Sequence, residues 1–553
     1  MLTIGLYGIP DTTHGTMPTY THDHGVALIR DGQVLTVAQL ERHTGVKHDN
    51  RLPRFIGELI TPYLQPGEEV RFVSVNAFVG DGFISQDGNL RIEPTCEVGI
   101  PGILYPARCI WYPDGLQPRA AEAFILCHEF AHVASALPFF GGFEPGSLLV
   151  HIDGGASRSA CSFWSWDGQR AECLHHAWDD LKDVINNFNV NPLARAILGE
   201  PPSAHLSIPG KLMGYAAHGR CTDEDHAWLR GQRWFLEHTA GDEALLAEVN
   251  RRRHGAPLAA FDARDQGLMN LAAGLQRAFE DEVVAAIAGF ARRTGARHLV
   301  YAGGAALNIP TNRLLMESGL FDTVRVPPPA NDSGLALGAA AWVEYAERGS
   351  LPVHGPFLNR FGISDPDAEV TVDVEEVAQA IVASQVVGIC TGGAEVGPRA
   401  LGHRSLLARA DDVSLRQRVS ERIKHREWYR PLAPVLCEDA ARLVLGDAAA
   451  DSALGRYMLG CWPVREAYLP HFAGVVHADG TVRPQVVPAG DRENRFLDQL
   501  LRCLWEVHGL PGVINTSFNV RGRPILHRHE EALPTAREMG LDALVLPDRF
   551  VRL

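Results

Sequence analysis

Long apolar runs are missing from this 553-residue chain. No segment approaches the roughly 18 consecutive apolar residues of a membrane span, so none is expected. The start, Met1-Leu2-Thr3-Ile4-Gly5-Leu6, has no basic segment ahead of a long apolar run, so no signal peptide is expected either. Cysteine pairs are also missing. The 10 cysteines are scattered without a single Cys-x-x-Cys, which disfavours a zinc ribbon or a disulfide framework. Several, such as Cys390 after Val386-Val387-Gly388-Ile389, sit in strand-like runs and read as buried thiols of a reducing, cytoplasmic compartment. Positive charge is in deficit, with 51 Lys+Arg against 66 Asp+Glu and a net charge of -15. That disfavours a broad nucleic-acid surface and leaves room only for a local basic pocket.

What is present is α/β patterning in a chain long enough for several folding units. Leu2 to Tyr7 reads as a strand. Gly25 to Val37 reads as a hairpin whose apolar arms flank Asp31-Gly32, a dipeptide that favours a primed turn. A second strand-turn-strand unit runs from Ser147-Leu148-Leu149-Val150-His151-Ile152-Asp153 to Ala160–Trp166. Arg119 to Leu137 is apolar at helical spacing, as is Leu268 to Arg293, where Leu271, Leu275, Phe279, Val283 and Ile287 recur every four residues. Leu299 to Asn308 reads as strand, Gly-rich turn and helix. The Pro/Gly/Asp-containing stretch from Leu351 to Asp367 is the expected linker, after which strand and helix patterns restart at Val386.

Three groups of residues carry chemistry. His128 and His132, four apart, share one helix face and can grip one metal. By letter, His128-Glu129-Phe130-Ala131-His132 also matches the His-Glu-x-x-His of zinc proteases, but no third ligand lies nearby; paired core histidines give the same spacing. Asp153 and Asp332, each beside glycine, can complete a His2Asp2 set suited to iron, zinc or manganese. A second group is Gly-rich: Gly303-Gly304 with Asn308, Asn331-Asp332-Ser333-Gly334, and Lys211 in Gly210-Lys211-Leu212-Met213-Gly214. Bare backbone N–H groups at a helix start can cradle phosphate, although tight packing turns use the same residues. The third is a cation set among glycines and prolines: Arg399, Lys424, Arg426, Arg430 and Arg483, with Asn515 and Ser517 in Asn515-Thr516-Ser517-Phe518-Asn519. Guanidinium forks suit phosphate.

These motifs together resemble a family. His22-Asp23, Lys47-His48, His128/His132, Gly210-Lys211-Leu212-Met213-Gly214 and Ala302-Gly303-Gly304-Ala305-Ala306-Leu307-Asn308 occur in order. They are followed by Gly397-Pro398-Arg399-Ala400-Leu401-Gly402, Lys424-His425-Arg426-Glu427, Arg430-Pro431-Leu432-Ala433-Pro434 and Asn515–Asn519. The set is similar to the O-carbamoyltransferases of the nodulation-protein, cephamycin and tobramycin type. The resemblance implies a duplicated actin/sugar-kinase-like (ASKHA) domain over 1–355 and a smaller α/β YrdC-like domain over 365–553. It implies that Arg399, Lys424, Arg430, Arg483, Asn515 and Ser517 bind carbamoyl phosphate and ATP, with Mg accompanying the ATP, and form carbamoyladenylate. Lys211, Gly303, Gly304 and Asn308 would contact nucleotide in the first domain. His128, His132, Asp153 and Asp332 would hold a divalent metal, iron by family resemblance. His22 would act as general base beside Asp23, with Lys47 stabilising developing negative charge, and the group would pass to a small-molecule, natural-product hydroxyl. A non-hydroxyl acceptor (an amine, a protein or a tRNA-linked group) is the alternative, and a homodimer is compatible with the resemblance. Departures cluster near the acceptor side: Gln39-Leu40-Glu41-Arg42, Asp153-Gly154-Gly155-Ala156-Ser157, and a long loop from Gly8 to Thr21 that includes His14.

Overall fold

The computed structural model describes residues 1–8, 21–77, 80–155, 158–181, 185, 192–231, 242–252 and 257–553. The Gly8–Thr21 loop through 9–20, with His14, lies outside these residues, as do Ala156 and Ser157.

Two sheets repeat one plan. In the first, β1 (Leu2–Tyr7) pairs antiparallel with β2 (Gly25–Arg30), and β2 with β3 (Gln33–Gln39). Asp31 and Gly32 turn the hairpin with φ of 51° and 81°, the left-handed pair that a primed turn requires. On the other side of β1 run β4 (Val70–Val75) and, past β5 (Phe83–Ile84), β6 (Leu90–Pro94) and β7 (Leu104–Trp111), the parallel strand β8 (Glu122–Leu126). The second sheet has β9 (Ser147–Ile152), β10 (Cys161–Trp166) and β11 (Ala171–Ala177) antiparallel, then β12 (His298–Ala302) and β13 (Thr323–Arg325) parallel. The orders β3-β2-β1-β4-β8 and β11-β10-β9-β12-β13 are the same five-strand motif twice. This is the duplicated α/β architecture the hairpins point to.

One expectation fails. Helical spacing from Arg119 to Leu137 predicts a single helix, yet Glu122–Leu126 is β8 and helix begins only at His128. Ala123-Phe124-Ile125-Leu126 is a short apolar run, which periodicity alone cannot assign. Pairing with β4 on one side and β7 on the other decides it.

The helices His128–Ala134 and Leu335–Arg348 lie between the two sheets, in a core with Phe130, Leu149, Trp164, Val300 and Leu337. Gly338 lets them approach: a Cβ there would fall 1.9 Å from the Ala131 carbonyl oxygen. The helix Gln266–Thr294 buries Leu271, Leu275, Phe279, Val283 and Ile287, is capped by Asp265 accepting from the Leu268 N–H, and ends at Gly295 with φ 71°.

The stretch from Leu351 to Asp367 is not loose. The Leu358 carbonyl accepts from the Val37 N–H at 2.8 Å, and the Phe357 ring stacks on His403 with centroids 3.6 Å apart. Beyond it a mixed sheet forms from β14 (Val387–Cys390), β15 (Arg404–Arg409), β16 (Ala433–Cys437), β19 (Gln485–Val487), β20 (Val513–Ser517), β21 (Ala543–Leu546) and β22 (Arg549–Arg552). The small pair β17 (Trp462–Pro463) and β18 (Thr481–Val482) stands apart. All ten cysteines are free thiols. Among the described residues no helix is long and apolar enough to cross a membrane.

Candidate active site

The first cluster grows from the end of β8. Asn76 Oδ1 accepts from the His128 N–H at 2.7 Å, starting a helix whose next turn brings His132 beneath His128, their Nε2 atoms 3.1 Å apart. His132 Nδ1 donates to the Ala330 carbonyl at 3.0 Å, which leaves Nε2 facing the carboxylates; burial opposes the ring's charge, but Asp332 and Asp153 outweigh it and raise its pKa. Asp332 Oδ1 lies 3.4 Å from that nitrogen and 3.9 Å from His128 Nε2, and Asp153 Oδ2 lies 3.5 Å from it. The four residues expected as metal ligands thus converge, all but Asp153 deeply buried. Gly303 and Gly304 serve this cluster: the Gly304 N–H donates to Asp153 Oδ2 at 2.6 Å, and Gly303, with φ 96°, lies against the Ile152 carbonyl where a side chain would clash. Two imidazoles and two carboxylates converging in a buried space fit a divalent first-row metal.

Glu129 removes the protease reading. Its carboxylate accepts from the backbone N–H groups of Arg158 and Ser159 at 2.6 and 3.0 Å and from the Cys127 thiol. It faces that turn rather than serving as a base beside the histidines.

Beside this cluster lies a second. Asp23, with φ 56°, receives His48 Nδ1 at 2.7 Å and His22 Nδ1 at 3.2 Å, and Asn331 Nδ2 donates to it at 3.0 Å. His48 is also left-handed, at φ 56°. Two non-glycine residues strained in this way around one carboxylate mark a built site. Burial opposes the charged form of His22, but Asp332, the Asp23 hydrogen bond and Asp153 outweigh it and hold its pKa up to about 10. His24, two residues on, is its opposite: fully buried, edge-on to Tyr7, and pushed down to about 3 by burial and by His22. Tyr7 donates to Asp332 Oδ2 at 2.8 Å. Asn331 and Asp332 therefore join the two clusters through adjacent residues. Lys47 is exposed at the rim, and after burial, Arg426 and Arg430 it adds to the lowering of the Lys424 pKa.

The third cluster has one sign. Buried Glu395 Oε1 accepts from the N–H groups of Leu401, His403 and Arg404 at 2.8, 2.9 and 3.0 Å, which shapes the Gly397–Gly402 loop carrying Arg399. Burial, then the neighbouring guanidiniums, lowers Arg399 to about 10 and Arg426 to about 9, and drives Arg483 well below its ordinary value. Among the described residues no carboxylate lies within 4 Å of Arg399, Arg426 or Arg483, and Arg430 has only Glu427, at 3.8 Å. Arg426, one of the expected cations, completes this quartet although it is outside the binding set the resemblance implies.

Other expected contacts are engaged elsewhere. Lys424 Nζ donates to the Ser517 and Asn519 carbonyls and to Asn519 Oδ1 at 2.7, 2.6 and 2.6 Å, so it fastens the end of β20. Ser517 donates to the same Asn519 oxygen, and Asn515 Nδ2 donates to Gln485 Oε1 at 2.6 Å, bracing the arginine loop. Lys211, expected at nucleotide, is buried between Glu200 at 2.5 Å and Glu427 at 2.9 Å. Asn308, likewise expected at nucleotide, caps the helix Ile309–Glu317 and bonds Gln276.

The arginine loop and the His/Asp cluster share a wall. Gly397, at φ 91°, packs on Pro328 so closely that a Cβ would lie 2.6 Å from its carbonyl oxygen, and Arg42 donates to the Gly397 carbonyl at 2.9 Å. Pro328 and Pro329 lead directly to Ala330, Asn331 and Asp332.

Comparison with known proteins follows the same division. The model described as carbamoyltransferase N-terminus matches residues 120–341, and that described as carbamoyltransferase C-terminus matches 378–552. Nodulation protein U of Rhizobium tropici is 30% identical over 558 residues, covering 91% of this chain and 90% of that protein. Nodulation protein NolNO of Sinorhizobium fredii (strain NBRC 101917 / NGR234) is 27% identical over 595 residues, covering 100% of this chain and 82% of that protein. Among solved structures, the activator of the 2-hydroxyisocaproyl-CoA dehydratase from Clostridium difficile aligns with 63% of this chain and 96% of that one, at 12% identity and a TM-score of 0.32.

Proposed function

The chain belongs to the carbamoyltransferase family, and from that premise we propose that it activates carbamoyl phosphate with ATP and carbamoylates a small-molecule hydroxyl. The observation that carries this reading is the guanidinium quartet Arg399, Arg426, Arg430 and Arg483, which is partly buried, of one sign and nearly free of carboxylates among the described residues. A site of one charge sign becomes favourable when anions enter it, and the carbamoyl phosphate dianion beside a triphosphate is such a load. Carbamoyl phosphate has no free carbamate oxygen. Water must therefore replace its phosphate before the carbamate oxygen attacks the α-phosphorus of ATP and pyrophosphate leaves. The arginines bind and orient these anions and offset charge as it gathers on the leaving oxygens.

The resulting carbamoyladenylate then meets the acceptor beside His22. Domains spanning 1–355 and 365–553 would divide the two half-reactions, and the Pro328–Asp332 wall would keep the path between them short. His22, oriented by Asp23, takes the hydroxyl proton as the oxygen attacks the carbamoyl carbon, and AMP departs; the charges of Asp332 and Asp153 hold His22 protonated, so its base form would become available once a bound metal offsets those carboxylates. Lys47 at the rim offsets developing negative charge. His128, His132, Asp153 and Asp332 would hold a divalent metal, which when bound supplies positive charge to the phosphate of the leaving AMP.

The test is pyrophosphate release from purified, metal-loaded protein given ATP and carbamoyl phosphate. Release is expected and should vanish in Arg430→Ala. Absence of pyrophosphate with the wild-type protein, with or without a panel of hydroxyl and amine acceptors, overturns the activation step. Mass spectrometry of the same mixtures identifies a carbamate ester or a urea and so decides the acceptor atom.

A further inference from the structure

His151 belongs to none of the roles above, yet its position is chemically odd. It lies on β9, whose pleat sends Leu148, Val150 and Ile152 into the core beneath the helix Gln266–Thr294 and sends His151 and Asp153 to the opposite face. There the imidazole is 0% exposed and stacks on His132, with centroids 5.1 Å apart and planes at 24°. Neither of its ring nitrogens has a hydrogen-bond partner among the described residues. Buried polar groups are nearly always satisfied, and an apolar ring would stack equally well without stranding two nitrogens.

A ring nitrogen of His151, one of His132 and a carboxylate oxygen of Asp153 all lie within 4.8 Å of one another, as do donor atoms of His128, His132 and Asp332. The two triads share His132. Its Nδ1 is engaged by the Ala330 carbonyl, so both triads converge on the single atom Nε2. Two triads that meet at one nitrogen can serve one ion rather than two. We infer that His151 is a ligand in this chain's metal centre, giving a His3Asp2 set in place of His2Asp2. The inference rests on the metal reading above and extends it. A third imidazole favours iron(II), cobalt(II) or zinc over magnesium, and it leaves at most one position of a six-coordinate ion for a phosphate oxygen.

The experiment uses the full chain, stripped with a chelator and titrated with cobalt(II). X-ray absorption at the bound cobalt in the wild-type protein counts imidazoles through their multiple scattering, without relying on any variant. Three are expected; two overturn the inference. In parallel, His151→Phe keeps the stack and removes the nitrogens. It should weaken cobalt binding at least about 30-fold and alter the visible d–d bands, with His151→Gln as a second variant should the first not fold. Unchanged affinity and bands in the variants, while His132→Ala abolishes binding, overturn the ligand role and leave the metal reading standing. Wild type and His132→Ala binding cobalt equally weakly overturn both.

Discussion

The His/Asp cluster and the arginine cluster sit on opposite sides of Pro328–Asp332 and treat charge in opposite ways. In the first, signs are mixed: Asp332 has His132 at 3.4 Å and the Tyr7 hydroxyl at 2.8 Å, and Asp23 holds two histidines and Asn331. In the second, burial and then the neighbouring guanidiniums lower Arg399, Arg426 and Arg483, and among the described residues only Glu427 comes within 4 Å of any of the four. The protein's own groups stabilise the first site in part. The second is destabilised until an anion arrives. The lesson is that the sign balance of a pocket separates a centre whose charges answer one another from one whose charges call for an anion.

The largest expected effect breaks this contrast from both ends. Arg483→Met should lower pyrophosphate release by about 10³-fold, the loss typical of an electrostatic donor at a reacting centre, and yet raise the thermal unfolding temperature by relieving repulsion. Asp332→Asn should lower carbamoyl transfer by a similar factor while leaving pyrophosphate release nearly intact, and it should lower the unfolding temperature. A coupled pyrophosphate assay, product mass spectrometry and thermal melts read all five outcomes. Stability moving the same way in both variants would dissolve the contrast.

Ligands sharpen it. Inorganic pyrophosphate at ~100 times its Kd should stabilise the wild-type chain by about 2.7 kcal/mol by mass action, and Arg483→Met far less at the same concentration. Differential scanning calorimetry at fixed ionic strength checks this. Glu427→Gln makes the arginine site still more one-signed and should tighten pyrophosphate binding about three- to tenfold at low salt, an effect that fades as salt is added. Calorimetric titration decides it. Weaker binding would mean that the Glu427–Lys211 pair, at 2.9 Å, matters more for holding the loop than for opposing the anion.

Much of this was legible in the chain, for local reasons. The Asp31-Gly32 and β9–β10 hairpins announce themselves because alternation and turn chemistry act within a dozen residues. His128 and His132 are visible because four residues along a helix is a fixed geometry. What stayed hidden depends on partners far away in sequence. Glu122–Leu126 is a strand because β4 is there to receive it. Lys211 and Lys424 look like phosphate ligands until Glu200, Glu427 and the carbonyls of Ser517 and Asn519 claim them. His151 stands two residues before Asp153 on a strand, a period-2 signal for a shared face, but only packing shows that both meet His132. His22 and His24 share that same spacing, and the structure sends one to Asp23 and the other into the core.

The smallest effect tests the seam where the two halves meet. His527 is buried, and its Nε2 donates at 2.6 Å to the carbonyl of Phe361 in the Leu351–Asp367 stretch. Burial, together with Arg404, Arg42 and Arg528, pushes its pKa down to about 3, only partly offset by the Phe361 hydrogen bond. The folded ring is therefore neutral, while an unfolded histidine takes up a proton below about pH 6.5. Stability from this residue is fully present above that pH and falls as the solution is acidified toward 3, because the unfolded state gains the proton first. Between pH 6.5 and 5.5 the loss is about 1 kcal/mol from this one group. Gln at 527 can still donate to Phe361 but does not titrate. The pH dependence of the urea midpoint should accordingly be shallower in His527→Gln than in the wild type over that interval, and parallel curves would mean that His527 is not the group holding the seam neutral. Because both proteins keep every other histidine, including those of the metal cluster, the difference between the two curves isolates this contact.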